Sequence, residues 1–338
     1  MVDNYPKISL IICTYMRANP LLKLLHSIKE QTCYPSEILI IDGSTNTETQ
    51  ISLEENKFKN LHYFLVDTDN RGLTKQRNFG ISKVADDTEI VFFLDDDTIL
   101  EIDYFEQIVK TYEIYPDALG VGGYITNDAV WEKTSVDYQP TINEFFYDGW
   151  KKKDGSRFVI RKRLGLDSDV PPCFMPEFSH GRSVGFLPPT NKTYEVQQFM
   201  GGVASFRKKV VDEHKFSTYF EGYGLYEDAD YTFRLSNIGK LYLNTNAKLA
   251  HFHDGTGRPN KFNYGKMVLR NGWYVWRVKY PNPGLKARIK WNAIALLLTL
   301  IRFTNVFTTV EKKEAFTETL GRTVGWLSLL YNRPKIIR

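Results

Sequence analysis

The chain has 338 residues, of which 42% are apolar, 25% charged and 14% aromatic. That is material for one large or two modest globular domains with real cores, and it excludes a disordered chain. A net charge of +4 excludes little, but Cys13, Cys33 and Cys173 are too few and too scattered for a disulfide framework or a zinc site. A reducing compartment fits.

The polar residues before Lys7 lead straight into a strand, so no signal peptide is expected. Lys7–Thr14 is a short β-branched run of the kind a buried parallel strand needs. Asn19 and Pro20 then signal a helix start, and Leu21, Leu22, Leu24, Leu25 and Ile28 supply its apolar stripe. The pattern continues with a strand over Glu37–Ile41 ended by Asp42-Gly43-Ser44, a strand over Leu61–Val66 and a helix over Gly72–Val84. A strand over Glu89–Leu94 runs into Asp95-Asp96-Asp97, followed by a helix over Ile102–Ile114 and a strand over Leu119–Ile125. Such alternation predicts an α/β fold with a mostly parallel central sheet, helices on both faces, and a ligand crevice at the strands' carboxyl ends.

The pattern weakens between about 126 and 195, where aromatics, prolines and a basic cluster (Lys151–Lys153, Arg157, Arg161–Arg163) read as an insertion of hairpins and loops. Regular signals return at Gly201–Val211, a helix over Glu227–Leu235 and a strand over Leu241–Leu249. Arg288–Thr304 is apolar, but its uncharged stretch, Trp291 to Ile301, is shorter than the ~20 residues of a bilayer span. Flanking Lys, Arg and Trp suit a helix lying in a membrane interface, and a core or dimer helix reads equally well. Residues 261–338 hold 15 Lys and Arg against 3 Asp and Glu, so the chain before them is acidic on balance. A basic tail of this kind suits an anionic surface.

Three adjacent carboxylates, Asp95, Asp96 and Asp97, repel one another unless a cation neutralises them. Oxygen ligands suit Mg2+ or Mn2+, which take one or two carboxylates plus substrate phosphates. A solvated acidic turn is the plainer alternative. Glu227 and Asp228 open a predicted helix, whose N-terminus stabilises carboxylates; Asp228 is also placed to act as a general base. Asn70–Gly80 opens a helix with a glycine and several cationic or amide groups, a start that favours phosphate. His251 and His253, two apart at the end of a strand, point the same way and could both face a metal.

In this order the segments resemble glycosyltransferase family 2. The opening Ser9–Arg17, Ile40-Ile-Asp-Gly-Ser44, Asn70–Gly80 with its G-x-x-x-x-R-N-x-G pattern, and Phe93-Leu-Asp-Asp-Asp-Thr98 are similar to the family's nucleotide and metal motifs. Met200–Lys208, Tyr226–Arg234 and His251 with Arg258 and Arg270-Asn271 are similar to its acceptor-side motifs in polysaccharide-assembling members. The resemblance spans roughly residues 7–280 and implies the glycosyltransferase-A fold with a C-terminal helical tail. It divides the chain into a nucleotide-sugar half (1–125), an acceptor half (126–285, with the insertion at 126–195) and a basic amphipathic tail (286–338).

By the same resemblance Thr14, Tyr15, Arg17 and Asp42 hold the nucleoside. Arg77 sits near the diphosphate, Asp95 and Asp96 contact the donor, and Asp97 with His251 or His253 holds Mn2+ or Mg2+. Asp228, beside Glu227, is the catalytic base. Ile41 precedes Asp42 where many members carry a second acidic residue, which leaves the nucleotide base open. The implied activity is inverting transfer of a sugar from a nucleotide-diphosphate donor to a hydroxyl of a glycan or lipid-linked acceptor. The site is expected to be cytoplasmic, on the inner face of the membrane, with no nucleic-acid partner. A sugar-nucleotide nucleotidyltransferase would need a glycine-rich triphosphate loop that Thr14–Pro20 lacks, and an inactive membrane-surface scaffold would retain the acidic residues without turnover.

Overall fold

A computed structural model describes residues 5–252 and 259–336. The chain forms two compact units, each assembled from two separated stretches: residues 1–129 with 189–257, and residues 130–188 with 258–338. The boundaries drawn on the sequence at 125 and 285 are serial, because a sequence pattern cannot show that distant stretches pack together.

The first unit is built on a nine-stranded sheet. From one edge its strands run Thr193–Val196, Lys240–His251, Ala118–Ile125, Val203–Arg207, Ile90–Asp95, Ile8–Thr14, Glu37–Asp42 and Leu61–Leu65, with Thr98–Leu100 paired to the end of Lys240–His251. The last four strands of that order are parallel, as the alternation predicts. Val203–Arg207 enters antiparallel between Ile90–Asp95 and Ala118–Ile125, so the whole sheet is mixed.

Alternation along the central strands assigns the two faces. Ile8, Leu10 and Ile12 join Ile38, Ile40, Ile90, Phe92 and Leu94 in one core with Leu21, Leu24, Leu25 and Ile28 of helix Ala18–Lys29. Ile11 and Ile41 point the other way, against helix Leu73–Ile81, where a methyl on Gly80 would strike the Ile11 side chain. Helices therefore cover both faces, as expected. Truncating a fully buried residue such as Leu24 to Ala would cost about 2–5 kcal/mol.

Several elements were not legible in the sequence. Helix Glu48–Glu55 has one buried residue, Thr49, and so lacks an apolar stripe. Strand Thr98–Leu100 is too short to show a period. The stretch expected to hold only hairpins and loops contains such a hairpin sheet (Glu132–Lys133, Glu144–Tyr147, Trp150–Lys153) but also helix Ser156–Arg163.

The second unit adds three long helices, Lys261–Lys279, Leu285–Thr308 and Lys312–Ser328, to that small sheet. Gly265, Gly321 and Gly325 let the first and third approach backbone to backbone; a Cβ at any of them would meet a carbonyl of the facing helix. The apolar run read from 288 to 304 lies inside a 24-residue helix that is long and apolar enough to cross a membrane by length and composition. The uncharged stretch alone understated it.

Candidate active site

Register places the acidic residues. Thr14 is paired with Asp42 on one side, and Cys13 with Asp95 on the other, so the carboxyl ends of three parallel strands lie level. The antiparallel strand starting at Val203 pairs with Leu94, which sets the preceding Gly201-Gly202 against Asp95. His251 pairs with Thr98, and its backbone exchanges hydrogen bonds with the Asn127 side chain at 2.9 and 3.0 Å, which fixes the imidazole beside the acidic turn.

The result is a cluster of ligating atoms. His251 Nε2 lies 2.9 Å from Asp97 Oδ1 and 3.8 Å from Asp95 Oδ2. One atom from each of Asp95, Asp97 and His251 falls within 4.8 Å of the others. Asp96 faces elsewhere: its carboxylate accepts from Thr14 Oγ1 at 2.6 Å and from Arg17 Nη1 at 3.0 Å, and Arg17 also reaches Asp97 at 3.3 Å. Burial pushes the Asp96 carboxyl up to about 6 even though Thr14 and Arg17 pull it down. For His251, burial works downward, but the Asp97 hydrogen bond and the charges of Asp95 and Asp97 outweigh it and raise the imidazole above its ordinary value. Two carboxylates and an imidazole make a donor set that suits a small divalent cation needing few protein ligands.

Opposite the turn, Tyr226 adopts a left-handed backbone (φ 71°) and opens helix Glu227–Leu235. Its two acidic residues part company. Glu227 is buried and meets Arg77 Nη1 at 2.5 Å, while Arg77 Nη2 lies 3.6 Å from Asp95. Arg77 is 3% exposed, with its guanidinium over the rings of Phe216 and Phe93. It is an internal strut between the acidic turn and the helix start. Burial drives the Glu227 carboxyl up to about 8, with Arg77 offsetting part of the shift.

Asp228 is partly exposed; its carboxylate accepts from Ala229 N at 2.7 Å and from Gly201 N at 3.4 Å. Burial raises its carboxyl above the ordinary range against these hydrogen bonds. Since Asp95 N donates to Gly202 O at 3.0 Å, the Gly201-Gly202 peptide links Asp228 to Asp95 directly.

Of the remaining sequence candidates, Tyr15 is exposed beside the buried Thr14. Asp42 is fully buried and bound by Tyr63 Oη at 3.0 Å and Ser44 N at 2.7 Å. His253 and Arg258 lie outside the described residues. Sequence reasoning passed over Gln76, whose buried amide donates to Thr14 O at 3.1 Å and Ile41 O at 2.8 Å and ties two strand ends together. It also missed Asn127, although a polar residue just past a strand's carboxyl end is where the crevice rule directs attention. Cys13, pushed up to about 12 by burial, is no nucleophile.

Comparison with known proteins agrees with this geometry. The chain is 30% identical over 146 residues to a glucosyl-dolichyl phosphate glucuronosyltransferase of Haloferax volcanii, covering 42% of this chain and 44% of that protein. It is 31% identical over 103 residues to an O-antigen chain rhamnosyltransferase of Salmonella typhimurium, covering 30% of this chain and 32% of that one. The chain thus spans less than half the length of these curated relatives. The crystal structure of S. aureus TarS superposes with a TM-score of 0.50 at 14% identity, over 95% of this chain and 49% of that one, a likeness of fold. The family model described as glycosyl transferase family 2 matches residues 9–175, from the opening strand through the acidic turn and into the second unit. On the motifs, the fold and this match, residues 9–175 form a glycosyltransferase family 2 domain.

Proposed function

We propose that the protein is an inverting glycosyltransferase that moves a sugar from a nucleotide-diphosphate donor to a hydroxyl of a glycan or lipid-linked acceptor, with Mn2+ or Mg2+ as cofactor. The observation that carries the reading is the meeting of Asp95, Asp97 and His251 around one point, with Asp228 joined to Asp95 through Gly201-Gly202.

Asp95, Asp97 and His251 would hold the cation. When bound at the donor's diphosphate, such an ion offsets the negative charge that grows on the leaving group. Tyr15 and Arg17, just past the strand ends, contact the nucleoside, while buried Thr14 and Asp42 hold that end of the crevice in place. Arg77 and the buried Glu227 fix the distance between the acidic turn and the helix that presents Asp228. Asp228 accepts the acceptor's proton as its oxygen bonds to the anomeric carbon and the carbon–phosphate oxygen bond breaks on the opposite face. One displacement inverts the configuration and needs no covalent sugar–enzyme intermediate. A placed base of this kind contributes about 10²–10⁴-fold.

The acceptor reading draws support from relatives named for a dolichyl phosphate-linked sugar and an O-antigen chain. It suggests surface-polysaccharide assembly by a protein resting on the cytoplasmic face of a membrane. The test is a panel of nucleotide sugars with Mn2+, scored for binding, hydrolysis and transfer. Asp228→Asn should bind donor but not transfer, and Asp97→Ala should lose most turnover. Transfer at the parent rate by Asp228→Asn removes that residue as base, and undiminished turnover in chelator removes the metal.

A further inference from the structure

The second unit leaves an unusual surface. Along helix Leu285–Thr308 the exposed side chains include Leu285, Ile289, Leu296, Leu300, Phe303 and Phe307, which follow one another at steps of three, four or seven residues. They form one apolar stripe about 33 Å long. Phe307 is 72% exposed and Leu300 52%. Helix Lys312–Ser328 repeats the pattern with Phe316, Leu320, Val324 and Leu327.

The stripes face the same side. Arg302 Nε meets Glu318 at 2.8 Å and Trp326 Nε1 donates to Asn292 Oδ1 at 2.9 Å, so the helices run antiparallel. At about 100° per residue, the first stripe lies on average about a quarter-turn from Asn292 and Arg302, and the second lies about 115–165° from Trp326 and Glu318. Because both offsets have the same sense, antiparallel pairing opens both stripes on one side of the pair, with the second angled outward by about 60°.

We infer that this two-helix face is a docking surface for an anionic lipid bilayer, in which both helices lie in the plane of the headgroups. This deepens the membrane part of the reading above and is independent of the transfer chemistry. Charge decides the occupant. Among the described residues neither stripe contains a carboxylate: Glu318 is buried, and Glu314 pairs with Lys261 away from the stripe. Exposed Lys286 and Arg288 stand about 80° to either side of the first stripe, and Lys312 and Lys313 begin the second. Their stems can run along the apolar face while the ammonium and guanidinium heads reach lipid phosphates. A second copy of the chain would set this basic, acid-free face against itself, so two-fold pairing has no charge complementarity.

Nor can helix Leu285–Thr308 be surrounded by lipid. Its other side is packed within its own unit, with Trp291 stacked on Trp276 at 5.3 Å and Ala287 and Ile294 against Phe178. It lies on the membrane and does not span it.

Vesicle flotation without donor or acceptor tests this on the whole chain. The protein should float with phosphatidylcholine–phosphatidylglycerol vesicles far better than with phosphatidylcholine alone, and less as salt rises. The triple variant Leu300→Glu/Phe307→Glu/Leu327→Glu should bind about ten-fold or more weakly. Lys312→Gln and Lys313→Gln should each cost about five-fold. A Phe307→Trp reporter, which leaves the surface apolar, should shift its emission to the blue on adding vesicles. Equal flotation of the triple variant and the parent overturns the inference. So does a parent that ignores both vesicle types but sediments as a dimer that the triple variant dissociates. A protein that floats as described yet transfers no sugar upholds the docking surface and sinks the transfer reading alone.

Discussion

Gly202→Ala is the sharpest single-atom probe of the acidic site. A Cβ built on Gly202 falls on all three atoms of the Asp95 carboxylate, well inside contact distance, so rotating the carboxylate cannot relieve the clash. The backbone cannot simply retreat, because Gly202 O accepts the Asp95 N–H at 3.0 Å. Restoring an ordinary carbon–oxygen contact moves the carboxylate by about 1 Å or more. Misplacement on that scale is worth about 10²-fold in rate, whereas overpacking costs only about 1–3 kcal/mol of stability. The variant should therefore fold with Tm lowered by several degrees, bind Mn2+ more weakly by titration calorimetry, and transfer sugar about 10²-fold more slowly. Gly185→Ala, where a Cβ meets nothing within 4 Å, is the matched control and should be silent in all three assays. Parent-like Mn2+ affinity and turnover in folded Gly202→Ala would refute Asp95 as a member of the cation and donor set.

Asp228 should set the acid limb of the pH profile. Burial raises its carboxyl above the ordinary range, so kcat/KM should fall on acidification at a higher pH than a free aspartate would give; a limb at the ordinary position excludes it as the base. In the second unit Arg182, 2% exposed, pairs bidentately with Asp154 at 2.9 and 3.1 Å and with Asp167 at 2.7 Å, among the rings of Phe145, Phe158 and Phe186. Arg182→Met should cost about 3 kcal/mol in denaturant melts, because buried Asp154 loses its bidentate partner and is left with Lys162 at 2.8 Å as its cation, and Arg182→Met/Asp154→Leu should recover part of it. A loss below about 1 kcal/mol for the single variant contradicts this. His180 is partly exposed as a residue, but its Nε2 is enclosed; burial, with Arg161 and Arg322 nearby, lowers its imidazole from 6.5 to about 3. The unfolded chain therefore takes up the proton first, so stability is complete above pH 6.5 and is lost as pH falls from 6.5 toward 3. By pH 5 the loss should be roughly 2 kcal/mol. His180→Asn, tolerated at the left-handed φ of 59°, should flatten that slope in melts from pH 7 to about 5; an unchanged slope assigns it to another group.

The sequence by itself determined the local pieces. Apolar runs and helical stripes gave the parallel half of the sheet, because a buried strand and an amphipathic helix each write their period into consecutive residues. The carboxyl-end rule then marked Asp42, Asp95–Asp97 and His251 as facing one crevice, since parallel strands must end on the same side. The start of helix Glu227–Leu235 was equally readable.

What only the tertiary structure decided is how pieces from distant positions meet. The antiparallel entry of Val203–Arg207, which brings Gly202 onto Asp95, depends on pairing across a hundred residues and leaves no local trace. Adjacent Glu227 and Asp228 look interchangeable in sequence. One is buried on Arg77 and the other half-open on Gly201, because successive helix positions are turned by about 100°. Arg77 is expected beside the diphosphate, but the rings of Phe93 and Phe216, from elements far along the chain, enclose it. In the same way the composition of residues 285–331 showed apolar and basic residues, but only the packing of one helix side against its unit left the other side bare. Period and polarity are local properties; burial and proximity belong to the folded whole.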